Sequence, residues 1–385
     1  SLFSVSILDA RAAILSSFIV FLIFLTYSLY NLYLNRANVR EGFSNFALTI
    51  LPYVLAVLLN ITFTSSQNKG DIGSQLGAIE FTQEASNGRF DYWSDALSHI
   101  KENPIIGAGL GNWKIASISI GKEHIKGYTV PYHAHNDFIH IFTEVGIFGG
   151  IAYLSLFLLL TFYLFRLIYV QRKEDGKTDF SLFLIILPFI IYGIDANLNF
   201  PIARPLMQSS LALYMGLLLS IYLDRFTPKE ISPLKPIYSH IILCLSLVLL
   251  IPGLLVHILS YKSLTQQGRL LYEFNNGDYK LTLAELDQIE DDFPNLTETA
   301  MPIKAMKARY FYLNGLKDKA HKYALLGSKD NPQIFFGENI KAQFYMQEQK
   351  QDSAYYYSRI AFYNLPNNMP HYNVYMNSLV FRRDI

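Results

Sequence analysis

Long apolar stretches separated by polar connections fill the first two-thirds of the chain. The six stretches run approximately over residues 12–34, 45–64, 139–170, 180–198, 205–224 and 239–260. Each is close to or above the length of about 20 residues that a helix needs to cross a bilayer. After Ser260 the aliphatic runs give way to charged, Gln and Tyr residues. The pattern predicts an all-α protein, with a polytopic transmembrane helix bundle over residues 1–260 and a soluble helical domain over residues 261–385.

Basic residues are distributed unevenly among the connections between these stretches. They follow the first, third and fifth stretches, as Arg36, Arg40, Arg172, Lys173, Lys177, Arg225, Lys229 and Lys235. Short loops rich in Lys and Arg remain in the cytoplasm. We therefore expect the long loop over residues 65–138, and everything after residue 260, to lie on the opposite side of the membrane.

The composition supports a membrane protein and excludes other classes. The chain is 51% hydrophobic and only 16% charged, whereas an ordinary globular protein carries about a quarter charged residues. Its net charge of +1 gives no overall basic field, so we expect no nucleic-acid partner. The single cysteine, Cys244, cannot form an intrachain disulfide. The chain begins without Met or a signal peptide, and we interpret it as a fragment of a longer membrane protein.

The long loop contains a short amphipathic helix and a glycine-rich turn. Apolar residues recur at helical spacing at Phe90, Trp93, Leu97 and Ile100. Asn87 is a candidate cap for this helix. The glycine run over residues 107–111 lacks the ending of a phosphate-binding loop. We expect it to form a tight turn packed against membrane helices.

An internal repeat follows the last apolar stretch. Ala308, Ala320 and Pro332 recur 34 residues later as Ala342, Ala354 and Pro366. A period of 34 with small residues at helix crossings resembles tetratricopeptide repeats. The repeat predicts an α-solenoid of about three helical hairpins, whose usual role is the binding of a protein partner or assembly.

Titratable side chains are concentrated just before the third apolar stretch. The stretch and its continuation contain His133, His135, Asn136, Asp137, Glu144, Gly146 and Gly149. Polar groups at the mouth of a membrane helix are costly unless they are solvated, paired or used. A histidine titrates near neutrality and can take a proton from a hydroxyl. The alternative is a solvated helix cap, with the glycines serving only helix packing.

Two arginines are expected on the same side of the membrane as these histidines. Arg11 begins the first apolar stretch, and Arg89 opens the amphipathic helix. Guanidinium groups bind phosphate oxygens in pairs and stay charged, so the set suits a phosphate-bearing substrate. Each arginine alone could instead anchor a helix at the interface. A metal site formed by His133, His135 and Glu144 is a further alternative, but their spacing does not suit one helix face.

These residues carry a resemblance to a known family. The pattern His135-Asn136-x9-Gly146-x2-Gly149 resembles the signature of the O-antigen ligase/polymerase family, which are membrane glycosyltransferases of the GT-C type. The loop from Arg89 and Trp93 to the glycine run is similar to the same family's outer loop. Arg11 matches an arginine of its helix-opening motif, although this chain has Ala10 where the family commonly has Ser. The resemblance covers about residues 9–225, and a tetratricopeptide-like tail is an accessory in some members.

The resemblance implies a bacterial inner-membrane enzyme that moves a glycan from undecaprenyl diphosphate to a hydroxyl acceptor in the periplasm. The reaction would be inverting and would use no metal or cofactor. The implied acceptor is lipid A core, a growing polysaccharide or a protein. The implied catalytic residues are His135, Arg89 and Arg11. The implied substrate-binding residues are His133, Asn136, Asp137, Glu144 and Trp93.

Other functions remain open at this stage. A protein O-oligosaccharyltransferase would belong to the same family. A polysaccharide transporter or flippase would also present arginines on the outer side, but it should carry charged or broken helices near the membrane midplane. A membrane-anchored repeat scaffold would leave the His135 and Gly146 spacing unexplained.

Overall fold

The computed structural model describes residues 11–34, 88–175, 180–227 and 236–384, with a few scattered positions between residues 43 and 55. Throughout this part of the chain the regular elements are helices, apart from one isolated bridge between Leu296 and Pro302. The predicted all-α class is confirmed for these residues. Two compact units emerge, one from the described residues within Ser1–Ala108 and His133–Pro228, and one from those within Gly109–Tyr132 and Lys229–Ile385.

The first unit contains the helices that surround the candidate site, and one helix of the long loop belongs to the second unit. In chain order the helices up to residue 226 are α1 (Arg11–Leu34), α2 (Arg89–Glu102), α3 (Trp113–Ile120), α4 (Asp137–Asp175), α5 (Phe180–Leu198) and α6 (Pro205–Phe226). Short 3₁₀ turns occupy Lys122–His124 and Pro201–Ala203. Helix α1 packs against α5, and α2 packs against α4.

The remaining helices belong to the second unit. They are α7 (Pro236–Asn276), α8 (Leu283–Gln288), α9 (Ile303–Leu313), α10 (Lys317–Asp330), α11 (Phe336–Gln347), α12 (Gln351–Asn364) and α13 (Met369–Arg382). Helix α7 runs without interruption through Ser260, where the sequence pattern predicts the end of the membrane domain. The small repeat residues are fully buried at Ala308, Ala320, Ala342 and Ala354. The tetratricopeptide assignment itself stays a prediction.

Three described helices are long and apolar enough to cross a membrane. They cover Asp137–Glu174, Pro205–Phe226 and Ile237–Asn276. Two further predicted spans correspond to shorter apolar segments, Phe18–Leu29 and Ile185–Leu198. The predicted span at residues 45–64 lies largely outside the described residues. The chain is therefore a membrane protein, and the number of crossings stays a prediction.

Helices α4 and α6 run parallel to each other, with α5 in the opposite direction. Where α4 and α6 begin and α5 ends, Phe138 of α4 packs with Tyr192 of α5 and Leu211 of α6, and Phe157 from the middle of α4 joins the same cluster. At their last residues, Arg225 of α6 forms an ion pair with Glu174 of α4, and Arg166 donates a 2.6 Å hydrogen bond to the Tyr222 hydroxyl. The starts of α4 and α6 therefore lie at one end of the bundle, together with the end of α5.

Helix α4 breaks at Gly146, where the backbone has φ 71° and ψ −169°. The turn that follows α2 fills the break, because Ile147 N–H donates to the Pro104 carbonyl at 2.8 Å and Ala108 N–H donates to the Thr143 carbonyl at 2.9 Å. A Cβ atom at Gly146 would clash with the Ile105 carbonyl, and one at Gly107 would clash with the backbone of α4. Gly146 and Gly107 thus permit a backbone-to-backbone contact between α4 and the glycine-rich turn, whereas Gly149 lies against the Val145 side chain of its own helix.

In the second unit, part of the long loop packs into the helical domain. Ile118, Ile125 and Val130 share one apolar core with residues of α7 to α11. Met369 N–H donates to the Lys126 carbonyl at 3.1 Å, and similar bonds reach the neighbouring loop residues. The predicted loop over residues 65–138 is therefore divided, with its middle part belonging to the C-terminal helices.

Candidate active site

His135 lies in the loop that precedes α4, with a backbone conformation that few residues other than glycine adopt. Its φ is +53°, and holding a non-glycine residue there costs on the order of 1–3 kcal/mol. The ring is half-buried, and Nδ1 is buried with no hydrogen-bond partner among the described residues. Strain of this kind is maintained by the surrounding structure and is concentrated at functional sites.

Aromatic and cationic groups surround this ring. Tyr92 of α2 lies nearly parallel to His135, with 6.0 Å between ring centroids. Phe200 presents its edge to His135 at 5.2 Å and stacks on His133 at 4.4 Å. The guanidinium of Arg204 lies 5.0 Å from the centre of the Phe200 ring. Phe200 therefore contacts both imidazoles and a guanidinium.

Arg89 reaches the same place from α2. It is the first residue of the helix, after Gly88 in a left-handed turn. Its Nη2 donates to Asn199 Oδ1 at 3.4 Å, next to Phe200. Burial lowers the pKa of His135, and the positive charge of Arg89 lowers that pKa further. The imidazole is therefore neutral at pH 7 and can accept a proton.

Asn136 and Asp137 tie the start of α4 to the segment after α5. Asn136 Oδ1 accepts from Ile139 N–H at 3.0 Å, which caps the helix. The Asn136 amide nitrogen donates to Asn197 Oδ1 at 3.3 Å. Asp137 is fully buried, and its Oδ2 accepts from Ile202 N–H at 2.9 Å. These two side chains hold His135 and Phe200 in position, and their predicted contact with substrate stays a prediction.

Glu144 and Trp93 lie farther from the His135 ring. Glu144 is buried one to two turns into α4, where its Oε1 lies 3.7 Å from Nε2 of His140. The His140 ring in turn contacts that of His133 at 5.2 Å. Trp93 is half-buried and packs edge-on against Phe90 at 5.6 Å. Glu144 is thus connected to the histidine cluster through His140, whereas Trp93 packs within its own helix.

The predicted amphipathic helix is present as α2, and its most buried side chains are not those of the predicted apolar set. Ala96 and His99 are buried, whereas Phe90 and Leu97 are largely exposed. The small side chain of Ala96 suits the close approach of α2 to α4. Helix α2 begins after Gly88, and the predicted cap Asn87 lies outside the described residues.

Arg11 is placed only in part. It is the first residue of α1, and its side chain lies outside what the structure describes. Its convergence with His135 and Arg89 therefore stays a prediction.

The segment between α5 and α6 was missed as part of the site. It supplies Asn199, Phe200 and Arg204, and the last turns of α5 supply Asn197 and Asp195, which Arg204 approaches at 3.5 Å. The available signal was polarity, since Asp195 and Asn197 interrupt the end of one apolar stretch and Asn199 and Arg204 fall between that stretch and the next. Across the ranges that the structure describes, no group of three His, Cys, Asp or Glu side chains is placed to hold a metal ion.

Comparison with known proteins identifies the first part of the chain. Residues 1–154 match the family model described as O-antigen ligase. The match includes Arg89, His135 and Gly146, and it ends before Phe200 and Arg204. No curated protein and no solved structure matches the chain. The match supports the resemblance inferred from the sequence over residues 1–154, and the rest of that resemblance, including the tetratricopeptide-like tail, stays a prediction.

Proposed function

Because residues 1–154 match the O-antigen ligase family model, we propose that this membrane protein is a glycosyltransferase. It moves a glycan from undecaprenyl diphosphate to an acceptor hydroxyl on the periplasmic side. The observation that carries the proposal is the grouping of Arg89, His135 and Arg204 around Phe200 at the mouth of α4. Two guanidiniums suit a diphosphate, and a neutral imidazole suits a hydroxyl that must lose its proton.

The chemical step is a displacement at the anomeric carbon. The acceptor oxygen attacks that carbon from the face opposite the diphosphate, and His135 takes the proton of the hydroxyl. The bond between the sugar and the diphosphate oxygen breaks, and undecaprenyl diphosphate leaves with the electron pair. Arg89 and Arg204 would stabilise the charge that develops on the leaving group. The attack inverts the anomeric configuration and needs no metal ion.

Arg204 is proposed here as the second arginine that binds the diphosphate, a role for which the sequence analysis named Arg11. Its side chain is 46% exposed, so its guanidinium can reach a ligand while its plane lies over Phe200. Arg11 remains a candidate for a third phosphate contact.

Two observations support a periplasmic site. The site lies at the starts of α4 and α6, while the exposed basic residues Arg172, Lys173 and Arg225 lie at their other ends. Such basic ends remain in the cytoplasm. The loop that carries Arg89 and His135 also supplies the segment that packs with the C-terminal helices. A single loop on one side of the membrane accounts for both, so the C-terminal domain is periplasmic as well.

The acceptor can be lipid A core, a growing polysaccharide or a protein, and the last of these would make the enzyme a protein O-oligosaccharyltransferase. Deletion of the gene should remove the glycan from only one of lipopolysaccharide, capsule or glycoprotein. Complementation with the wild type should restore it, and the His135→Ala variant should not.

A reconstituted assay tests the reaction class. Full-length protein in liposomes is supplied with a glycan on undecaprenyl diphosphate and with the acceptor identified by the deletion. Release of undecaprenyl diphosphate together with glycan on the acceptor supports the proposal. Movement of the intact lipid-linked glycan across the bilayer without bond breakage would assign the protein to the transporters instead.

A further inference from the structure

We propose that the turn over residues 104–107 inserts the side chains of Ile105 and Ile106 into the lipid leaflet nearest the candidate site. The turn follows α2 and belongs to the first unit. Its two isoleucines are 63% and 76% exposed. The surface is an apolar contact for acyl chains, and its role does not depend on glycosyl transfer.

The turn is attached to α4 well past the beginning of that helix. Ile147 N–H donates to the Pro104 carbonyl, and Ala108 N–H donates to the Thr143 carbonyl. At a rise of 1.5 Å per residue, Thr143 and Ile147 lie about 9 and 15 Å along the helix from its first residue, Asp137. The turn therefore lies beside the body of α4, in the direction of the membrane from His135.

The exposed apolar surface of α4 begins at the same level. Within this helix no residue before Val145 is exposed, whereas Val145, Ile147 and Phe148 are. Exposed apolar side chains then continue as far as Tyr169. Val145 and Tyr169 are about 36 Å apart along the helix, slightly more than the hydrocarbon thickness of about 30 Å. One end of this surface, and the turn beside it, therefore lies at the hydrocarbon boundary.

The backbone of the turn suits an apolar environment. Lipid offers no hydrogen-bond partners, so irregular backbone at this depth must be bonded within the protein. Gly107 N–H donates to the Asn103 carbonyl at 3.1 Å, in addition to the two bonds to α4. Pro104 has no N–H group to satisfy. The side that carries Ile105 and Ile106 thus presents hydrocarbon side chains, while polar backbone groups are bonded toward α4.

Charged residues precede the isoleucines directly. Lys101 and Glu102 are exposed at the end of α2. Lysine side chains at a membrane surface keep their charged group in the headgroup layer while the methylene stem contacts lipid. A short segment that passes from charged residues to exposed isoleucines matches the passage from headgroups to acyl chains.

A second membrane helix is the competing partner, and the residue types favour lipid. Interfaces between membrane helices are enriched in small residues that allow close approach. Such residues are used here toward α4, at Gly107 and Gly146. The outward side carries Ile105 and Ile106, and the neighbouring Phe148 is 73% exposed. Large, flexible apolar side chains of this kind suit contact with mobile acyl chains.

Photocrosslinking of the unaltered protein is the first test. Full-length protein is reconstituted in phosphatidylcholine that carries a photoreactive carbene precursor on an acyl chain, irradiated and digested with trypsin. Cleavage after Lys101, Lys114 and Lys122 gives peptides over residues 102–114 and 115–122. The second peptide is the matched control, because it contains three isoleucines and its Ile118 is buried among the C-terminal helices.

Lipid adducts should be about tenfold more frequent on residues 102–114 than on residues 115–122, since an acyl-chain probe stays in the hydrocarbon. Fragmentation should place these adducts on Ile105 and Ile106. Equal labelling of the two peptides, or no adduct on either isoleucine, would overturn the proposal.

Fluorescence quenching provides a second test. Single cysteines are introduced by Ile106→Cys, Phe148→Cys and Ser119→Cys in a Cys244→Ser background, and each is labelled with a small environment-sensitive fluorophore. Phe148 is the reference for lipid contact, and the exposed Ser119 of α3 is the reference for water. Brominated lipid quenches labels in the bilayer, and iodide quenches labels in water.

The ratio of lipid quenching to iodide quenching at Ile106 should lie closer to the ratio at Phe148 than to that at Ser119. A ratio closer to that of Ser119 would place the turn in water. A label that neither quencher reaches would show that protein covers the turn. Either of these two results would contradict insertion into lipid.

Discussion

Charged residues lie at both ends of helices α4 and α6, but they are exposed at one end and partly or fully buried at the other. At the basic end, Arg225 and Glu174 form an ion pair with both side chains exposed, at 40% and 57%. Such a pair keeps its hydration and costs little. At the site end, Asp137 is fully buried and His135 is held in a left-handed conformation beside Arg89. Among the described residues of the two ends, the site end is therefore the one where burial of a carboxylate and a left-handed backbone cost folding free energy.

The comparison shows that an arginine in a membrane bundle does not by itself mark a site. Arg166 lies within α4, where it donates to the Tyr222 hydroxyl and lies 4.3 Å from the Phe226 ring centre. That environment is a structural contact between two parallel helices. Arg89 differs because its positive charge lowers the pKa of the nearby His135. The surroundings of each arginine, rather than its residue type, distinguish the two ends.

The largest expected effect is at His135. Replacement by Ala should lower the rate of glycan transfer by about two to four orders of magnitude, the usual cost of losing a positioned base. His124→Ala is the matched control, because His124 is exposed in the 3₁₀ turn over residues 122–124. His133→Ala should cost less than His135→Ala.

A second substitution at this position separates strain from chemistry. His135→Gly relieves the backbone cost at φ +53°, so its thermal unfolding midpoint in detergent should equal or exceed that of the wild type. Its transfer rate should nevertheless fall as far as that of His135→Ala. Normal transfer by either folded variant would remove His135 from the mechanism.

The break in α4 should be the next most sensitive feature. Gly146→Ala places a Cβ atom against the Ile105 carbonyl at a positive φ, and we expect it to destabilise the protein by about 3 kcal/mol. Gly216→Ala in α6 is the control, since a Cβ atom there meets open space. Thermal unfolding in detergent measures both variants. Equal midpoints would mean that the turn after α2 does not close against α4.

Arg89→Lys tests the role of the guanidinium at the site end. The ammonium keeps the charge but cannot contact two phosphate oxygens in a fork, so transfer should fall about tenfold or more. At the basic end, Arg225→Lys should leave the rate unchanged, because its ion pair with Glu174 is exposed. Similar losses in the two variants would show that the ends of the bundle do not differ as proposed.

The order of residues along the chain was enough to predict several helices and two residues of the candidate site. The apolar stretches predicted the long helices α4, α6 and α7, and the signature spacing singled out His135 and Gly146. Phe200 was missed because its contacts with His133 and His135 join segments more than 60 residues apart. Arg204 was missed because it reaches the site through the Phe200 ring. The spacing of apolar residues within one segment does not predict its contacts with a distant segment.

The same limit explains the division of the long loop. No role was assigned from the sequence to Ile125 and Tyr128 within the long loop, yet they pack against helices more than 200 residues later in the chain. The helical spacing of apolar residues in α2 did not show which side chains are most buried. Close packing against α4 favours the small Ala96 there.

The smallest expected effect is a displacement of the pH profile. Arg89 lowers the pKa of His135, in addition to the larger lowering caused by burial. A base must be unprotonated, so transfer should decline as the pH falls through this pKa. Arg89→Gln removes the positive charge, which raises the pKa of His135 toward its ordinary value of 6.5. The acid limb of the rate profile should therefore move to higher pH, whereas Arg225→Gln at the basic end should leave it in place. A limb that moves to lower pH in Arg89→Gln, or that stays fixed while the rate falls, would show that Arg89 does not act on the charge of His135.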